Sequence, residues 1–249
     1  MAAAQERESI LVIGASGRTG AFAMRYLCAV AAPVIACVRR ADRMPAEPLL
    51  ASAEVAVANL ERPETLAPLI ERALHVIYVA GSERRSLSPG AWQLEIDALT
   101  AAVEIARRSG FGGRWIYVGY SGAAQRGSAT WAETRWRELK AEAEQVIVSS
   151  SLNYFILRTG RVAGPVSVEP NVVITQRTTT SADSEVPCNV LGFLLTGAAL
   201  AGAARRATAT VQLDSHGVKL QEAVHGFARL RSDTTITTRD ASGASFGRA

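Results

Sequence analysis

Three glycines stand at intervals of three residues near the start of the chain, at Gly14, Gly17 and Gly20. They follow a contiguous apolar run at residues 10–13 and precede a stretch with helical character. After such a strand, the first glycine permits a tight turn, the second lets the backbone approach a pyrophosphate, and the third lets the helix pack close to the strand. Phosphate then lies over the unpaired N–H groups and the positive dipole end of the helix. The spacing therefore predicts a dinucleotide-binding turn.

Arginines end the second apolar run, where the adenosine ribose of a dinucleotide would lie. The run closes with Arg39 and Arg40, and no carboxylate occurs before Asp42. An acidic residue here would accept hydrogen bonds from the 2′-hydroxyl of NAD, whereas arginine binds the 2′-phosphate of NADP through charge-assisted bonds. Arg18, within the glycine turn, is placed to reach the same phosphate. The pattern favours NADP(H), and the alternative is that these arginines are solvated surface charges.

Small or polar residues also follow the third and fourth predicted strands. The Asn59-Leu60 pair offers an amide to the adenine edge, and the Ala80-Gly81 pair leaves room for ribose and phosphate. Ligands of parallel sheets lie beyond the carboxyl ends of the strands, which is where these residues fall. The cofactor-binding candidates are Gly14, Ser16, Gly17, Arg18, Thr19, Gly20, Arg39, Asn59, Leu60, Ala80 and Gly81.

Apolar runs alternate with helical stretches along the chain. Strands are predicted at residues 9–13, 33–38, 54–57, 76–80, 115–118, 153–158 and 209–213. Helices are predicted at residues 21–31, 63–73, 91–108, 132–148 and 190–201. This alternation is typical of an α/β protein with a doubly wound parallel sheet, the Rossmann fold. We expect a single domain over residues 9–230, with a small C-terminal substrate region beginning at about residue 160.

Two segments lack a regular pattern. Residues 164–187 are polar and contain three consecutive threonines, so they are predicted to form a long connection. Such a connection either covers a substrate or is an ordinary surface excursion. Residues 231–249 are rich in Ser, Thr, Asp and Gly and are predicted to be a flexible tail.

The composition of the chain argues against nucleic-acid-binding, membrane-spanning and disulfide-rich classes of protein. The 249 residues carry a net charge of +4, and only two of the 27 basic residues are lysines. The arginines are dispersed among acidic residues rather than clustered with aromatics, so nucleic-acid binding is not expected. No apolar run is long enough for a membrane span, and no signal-peptide pattern follows the polar start. The three scattered cysteines form neither a disulfide framework nor a metal-binding pattern, which favours a reducing cytoplasm.

The chain resembles the atypical short-chain dehydrogenase/reductase family, in its NmrA-like NAD(P)-binding branch. The resemblance rests on the glycine turn, Arg39, Asn59-Leu60, the turn at residues 79–81 and the sequence Leu-Arg-Thr-Gly at residues 157–160. It spans about residues 9–230 and is looser after Gly164. It implies one NADP(H)-binding Rossmann domain. The family contains reductases of small carbonyl, enone, quinone or imine substrates, and also redox sensors that only bind the cofactor.

The resemblance also indicates where catalysis would occur. Standard short-chain reductases carry a serine after the fifth strand and a Tyr-x-x-x-Lys motif on the next helix; the lysine there holds the ribose. In this chain Tyr120 takes the place of the serine, Trp136 replaces the motif tyrosine, and Lys140 is kept. Indole N–H does not titrate, so Trp136 cannot be the general acid.

Tyr120 is the best remaining proton donor, because a cation such as Lys140 would lower the pKa of its phenol. Ser121 is a secondary candidate for orienting a substrate oxygen. Trp136 either stacks on a planar substrate or packs in the core, and Tyr120 either donates a proton or forms a pocket wall. Lys140 is either functional or a solvated helix lysine. Substrate contacts are expected from Tyr120, Trp136 and Arg161.

Two functions remain open on sequence alone. The first is an NADPH-dependent reductase of a small carbonyl, enone or quinone-like substrate. The second is a catalytically silent NADP-binding sensor, or a non-redox enzyme on the same scaffold. Loss of the motif tyrosine favours the second, whereas the retained lysine with a new tyrosine nearby favours the first. Association as a homodimer through the long helices is left open.

Overall fold

The computed structural model describes residues 8–81, 89–121, 131–168, 170–176, 185–201, 206–214 and 216–230. Its strands are β1 (Ser9–Ile13), β2 (Val34–Val38), β3 (Glu54–Val57), β4 (Ala73–Tyr78), β5 (Arg114–Tyr120), β6 (Asn153–Thr159), β7 (Arg161–Ala163), β8 (Val172–Thr175), β9 (Glu185–Pro187) and β10 (Ala207–Leu213). Its helices are α1 (Arg18–Ala29), α2 (Ala67–Arg72), α3 (Pro89–Arg108), α4 (Trp131–Ser149), α5 (Cys188–Leu200) and α6 (Leu220–Gly226). The 231–249 segment predicted as a tail lies outside the described residues.

Eight strands form one twisted sheet in the order β3-β2-β1-β4-β5-β6-β10-β8. All neighbouring pairs are parallel except β8, which runs antiparallel to β10. The chain leaves β1 in one direction along the sheet and returns to its other side with β4. This reversal is the topological switch point, beyond which open α/β sheets bind their ligands. The predicted doubly wound fold is confirmed.

Helices cover both faces of the sheet. On one face α1, α5 and α6 enclose a core that includes Met24 and Leu194, both fully buried. On the other face α2, α3 and α4 enclose a core that includes Leu99 and Ala143. Because β1 and β2 are covered on both faces, their sequences are continuously apolar rather than alternating. No helix in the described ranges is both long and apolar enough to cross a lipid bilayer.

The segment predicted as one long connection contains two strands. Residues Val172–Thr175 form β8 at the edge of the main sheet, and Glu185–Pro187 form β9, which pairs in parallel with β7. Strands this short gain their stability from the partner strand, so their own sequence shows little periodicity. The threonine run at residues 178–180 lies outside the described residues. The C-terminal third of the chain therefore extends the main sheet as well as adding the β7–β9 ribbon.

Candidate functional site

The glycine turn joins β1 to α1 at the switch point. Gly14 has a φ of +93°, and a Cβ at this position would lie 2.7 Å from the backbone nitrogen of Ala80. A side chain would therefore be strained in the turn and would also collide with the segment that leaves β4. The N–H of Gly17 donates to the carbonyl of Gly14 at 2.9 Å, which closes the turn.

The first turn of α1 faces the carboxyl edge of the sheet without a side-chain cap. Gly17 is the N-cap residue, and Arg18 and Ser16 beside it are exposed while Thr19 is half-buried. A Cβ on Gly20 would lie 2.2 Å from the carbonyl oxygen of Gly14, so only glycine lets α1 pack this close to the turn. An uncapped helix start beside side-chain-free backbone fits a pyrophosphate. The geometry thus suits the predicted nucleotide.

The two arginines after β2 differ in their surroundings. Arg40 forms a two-point ion pair with Asp42, in which its Nε lies 3.0 Å from Oδ1. Arg39 is exposed and makes no ion pair with the described part of the chain. Asp42, the first carboxylate after β2, is therefore already paired with Arg40. Arg39 remains available to bind an anionic ligand.

The residues after β3 and β4 border the same edge of the sheet. Asn59 is half-buried and its Oδ1 accepts the N–H of Glu61 at 3.1 Å, so its carbonyl helps to shape its own loop. Leu60 and Ala80 pack against the core on the α2–α3–α4 face. Gly81, next in the chain after Ala80, is exposed. The structure therefore places these residues beyond the carboxyl ends of β3 and β4, and their contacts with adenine and ribose stay a prediction.

An aromatic pair lies at the carboxyl end of β5. Tyr120 is the last residue of that strand, and its ring meets Trp136 of α4 edge to face, with ring centroids 4.4 Å apart. One helical turn later, the Nζ of Lys140 lies 5.8 Å from the centroid of the Trp136 ring. The predicted sharing of one helix face by Trp136 and Lys140 is thus observed. Trp136 packs against the core, and its buried indole N–H has no hydrogen-bond partner among the described residues.

The partners of Lys140 differ from the expected one. Its ammonium pairs with the carboxylate of Glu95 on α3 and lies near the phenol of Tyr117 in β5, rather than acting on Tyr120. Tyr117, three residues before Tyr120 in β5, therefore provides the phenol that interacts with Lys140, although the ring of Tyr120 contacts the same face of α4 through Trp136. Burial raises the pKa of Tyr117 to about 12, against the opposing effect of Lys140. Burial acts to lower the pKa of Lys140, but its interactions with Tyr117 and Glu95 outweigh burial and raise that pKa.

Buried hydroxyl groups line the ends of β5 and β6. The N–H of Ser121 donates to the carbonyl of Thr159 at 2.9 Å, which holds the two strand ends together. The hydroxyls of both residues are buried and have no hydrogen-bond partner among the described residues. Unpartnered buried hydroxyls are costly, and they are common where a ligand supplies the missing bond. The hydroxyl of Ser121 therefore lies at the carboxyl end of β5, and its role in orienting a substrate oxygen stays a prediction.

Besides the Lys140–Glu95 pair, a second buried ion pair lies near the carboxyl ends of β5 and β6. Glu144 of α4 accepts from Arg158 of β6, with the guanidinium Nε 2.8 Å from Oε2. The carboxylate lies against Gly119, where a Cβ would be 2.2 Å from Oε1. Burial raises the pKa of Glu144, and Arg158 opposes the rise. The pair joins α4 to β6, next to the strand that carries Tyr120.

Arg161, predicted as a substrate contact, lies in β7 just beyond β6. Its guanidinium is mostly exposed and pairs with Glu185 of β9. The ion pair bridges the two strands of the ribbon. Arg161 is therefore engaged within the ribbon, and a substrate would have to compete with Glu185 for it.

Sequence reasoning missed Glu95, Glu144 and Arg158. Each meets its partner from a different helix or strand, and no local spacing shows such contacts. Two of them had a signal in the sequence: Glu144 follows Lys140 by four residues and so shares its helix face, and Arg158 lies in the Leu-Arg-Thr-Gly sequence that carries the family resemblance.

The chain belongs to the NAD(P)H-binding family, whose sequence pattern matches residues 14–191. The predicted resemblance to the atypical short-chain dehydrogenase/reductase group is thereby confirmed. No curated protein matches the chain.

Solved structures share the fold at low identity. The oxidoreductase ylbE from Lactococcus lactis is 14% identical with a TM-score of 0.76, and the match covers 91% of this chain and 99% of that one. ChuY, an anaerobillin reductase from Escherichia coli O157:H7, is 20% identical with a TM-score of 0.64, covering 82% and 97%. A short-chain dehydrogenase/reductase from Veillonella parvula, in complex with NADP, is 15% identical with a TM-score of 0.64, covering 82% and 94%.

Proposed function

We propose that the protein is an NADPH-dependent reductase of a small, conjugated carbonyl, enone or quinone-like substrate. The observation that carries the proposal is the cluster of Tyr120, Trp136 and Lys140 at the carboxyl end of β5, two strands along from the glycine turn. The similarity to ylbE, ChuY and the NADP complex supports redox chemistry on this fold. The three buried free cysteines support a reducing, cytoplasmic setting.

Each group has a role in this proposal. The glycine turn binds the pyrophosphate, Arg39 binds the 2′-phosphate, and Lys140 binds a ribose hydroxyl. When bound, NADPH supplies a hydride. Tyr120 donates its phenolic proton to the substrate oxygen, and Ser121 orients that oxygen. Lys140 itself is engaged by Glu95. A conjugated substrate spreads the developing negative charge, so a weak donor suffices.

A silent NADP-binding sensor is the second candidate. Two observations favour the sensor. Trp136 stands at the position of the motif tyrosine, and the ammonium of Lys140 is already engaged in an ion pair with Glu95. The two proposals differ in one measurement. Purified protein is mixed with NADPH and with 1,4-naphthoquinone or cyclohexenone, and absorbance at 340 nm is followed. Tight NADPH binding with no consumption would overturn the reductase in favour of the sensor.

We expect Arg39→Ala to weaken NADPH binding by about 10- to 100-fold and to leave NADH binding nearly unchanged. The reason is the loss of a charge-assisted bond to the 2′-phosphate, which contributes about 1.5–3 kcal/mol. Calorimetry with both nucleotides measures the difference. Arg40→Ala is the matched control, since Arg40 is held by Asp42 and should change either affinity little. Equal losses for NADPH and NADH in Arg39→Ala would contradict the assignment.

We expect Tyr120→Phe to lower kcat by about 10²-fold without weakening NADPH binding. A positioned general acid contributes a factor of this size, and the substitution removes only the titrating hydroxyl. Stopped-flow oxidation of NADPH by a quinone measures the rate, and calorimetry measures the affinity. Tyr26→Phe on α1, whose ring packs on Phe193, serves as the control. An unchanged kcat would make Tyr120 a wall of the pocket and not the acid.

A further inference from the structure

A carboxylate fills the space beside the end of β4. Glu95 projects from α3, and its side chain is only 11% exposed. A Cβ on Gly81 would lie 2.9 Å from its Oε1, so the absence of a side chain at Gly81 admits the carboxylate. Gly81 follows Ala80, whose backbone lies against Gly14. Glu95 therefore lies next to the segment that borders the nucleotide turn.

This carboxylate is paired with Lys140, whose side chain is 16% exposed. Within the described part of the chain, the charged or titratable groups that act on the ammonium are Glu95 from α3, Tyr117 from β5 and Glu144 from α4 itself. Glu144 is also held by Arg158, and Tyr117 is buried as a neutral phenol. Burying an ammonium without a charged partner is costly and drives it to lose its proton. Glu95 is thus the carboxylate that pairs directly with the buried ammonium, and together with the phenol of Tyr117 it keeps Lys140 charged.

We propose that Glu95 is a positioning residue of the cofactor site, which anchors Lys140 as a protonated ammonium beside the end of β4. This inference rests on the proposed function, in which Lys140 binds the ribose of NADPH. Without the anchor, Lys140 is free to lose its proton and to leave the ribose. Glu95 acts through Lys140 and does not itself contact the substrate.

The composition of the chain allows a direct test, because Lys140 and Lys219 are its only lysines. Lysine labelled with ¹³C at Cε gives one NMR resonance for each, and the Lys219→Arg variant assigns them. In the cofactor-free protein, we expect Lys140 to keep its proton to higher pH than the exposed Lys219. In Glu95→Gln, we expect the Lys140 titration to move down by at least about one pH unit, because the carboxylate that opposes the effect of burial is gone. Glu104→Gln removes a carboxylate that pairs with Arg107 and Arg108 on the same helix, and should change nothing at Lys140.

Calorimetry with NADPH provides the second readout. We expect Glu95→Gln to bind NADPH about tenfold more weakly at pH values above the Lys140 titration midpoint that NMR gives for this variant, and with a smaller loss at pH 6, where Lys140 is protonated in both proteins. If Lys140 titrates together with Lys219 in the unaltered protein, or if Glu95→Gln leaves its titration unchanged while NADPH binds normally, the positioning role is wrong. The comparison of Lys140 with Lys219 is made in the unaltered protein, so it does not depend on whether the Glu95→Gln variant folds. If the unaltered protein binds no NADPH, the proposed function and the role of Glu95 in it both fail.

Discussion

Replacing Arg158 with methionine is expected to lower the free energy of unfolding by about 3 kcal/mol at pH 8, because it leaves the buried carboxylate of Glu144 without its partner. The Glu144 side chain is 6% exposed, and its Oε1 already lacks a hydrogen-bond partner among the described residues. Methionine preserves much of the apolar volume of the arginine, so the loss reports mainly on charge. Urea denaturation at several pH values measures it.

The loss should depend on pH in a definite direction. Burial raises the pKa of Glu144 in the folded protein, and Arg158 holds that rise back. In the variant, the folded pKa rises further above the unfolded value, so the folded state binds a proton more readily. The variant therefore keeps its stability at pH values below the pKa that the Glu144 carboxyl has in the unfolded chain. Its stability falls as the pH rises from there towards the higher pKa of the same carboxyl in the folded protein. The variant should therefore approach the unaltered protein in stability near pH 5.

Two controls separate the buried charge from general damage. Adding Glu144→Gln to Arg158→Met should restore most of the lost stability, because the uncompensated charge is gone. Arg72→Met breaks the exposed pair with Glu54 and should cost less than about 1 kcal/mol. A loss in Arg158→Met that is small and independent of pH would contradict the buried pairing.

Gly20→Ala is expected to lower the free energy of unfolding by about 3 kcal/mol, with a fall in Tm of about 6–12 °C. The added Cβ would lie 2.2 Å from the carbonyl oxygen of Gly14 and 3.0 Å from the Cα of Ala15. Both atoms belong to the backbone, so α1 would have to shift away from the turn. The shift would also displace the helix start that we propose binds the pyrophosphate, and NADPH affinity should fall with the stability.

Gly226→Ala is the matched control for this substitution. Gly226 also lies in a helix, and a Cβ there meets no atom within 4 Å. Alanine is the better helix former, so this variant should be as stable as the unaltered protein or more so. Differential scanning calorimetry compares the two. Equal melting temperatures for the two variants would show that α1 does not pack against the turn as described.

The parts of the fold that depend on local chemistry were predictable. The glycine turn follows from backbone requirements that only glycine meets, and Gly14 and Gly20 indeed have no room for a Cβ. The shared helix face of Trp136 and Lys140 follows from a spacing of four residues. In both cases the information is contained within a few consecutive residues.

The parts that depend on contacts between distant elements were not predictable. Lys140 was expected to act on Tyr120, but the packing of α3 on α4 brings Glu95 to it, and β5 presents Tyr117. The sequence predicts a connection at residues 172–175, whereas these four residues form the strand β8 because β10 lies beside them. Single-sequence reasoning has no access to either partner.

The position of β10 has a consequence for how the protein is made. In the sheet β10 lies between β6 and β8, although it is the last of the three in the chain. During synthesis, β8 therefore leaves the ribosome before the strand with which it pairs, and β6 remains an open edge until residue 213 has emerged. Open strand edges invite pairing with other chains. A nascent chain stalled before residue 207 should therefore be a better client for chaperones than the finished protein.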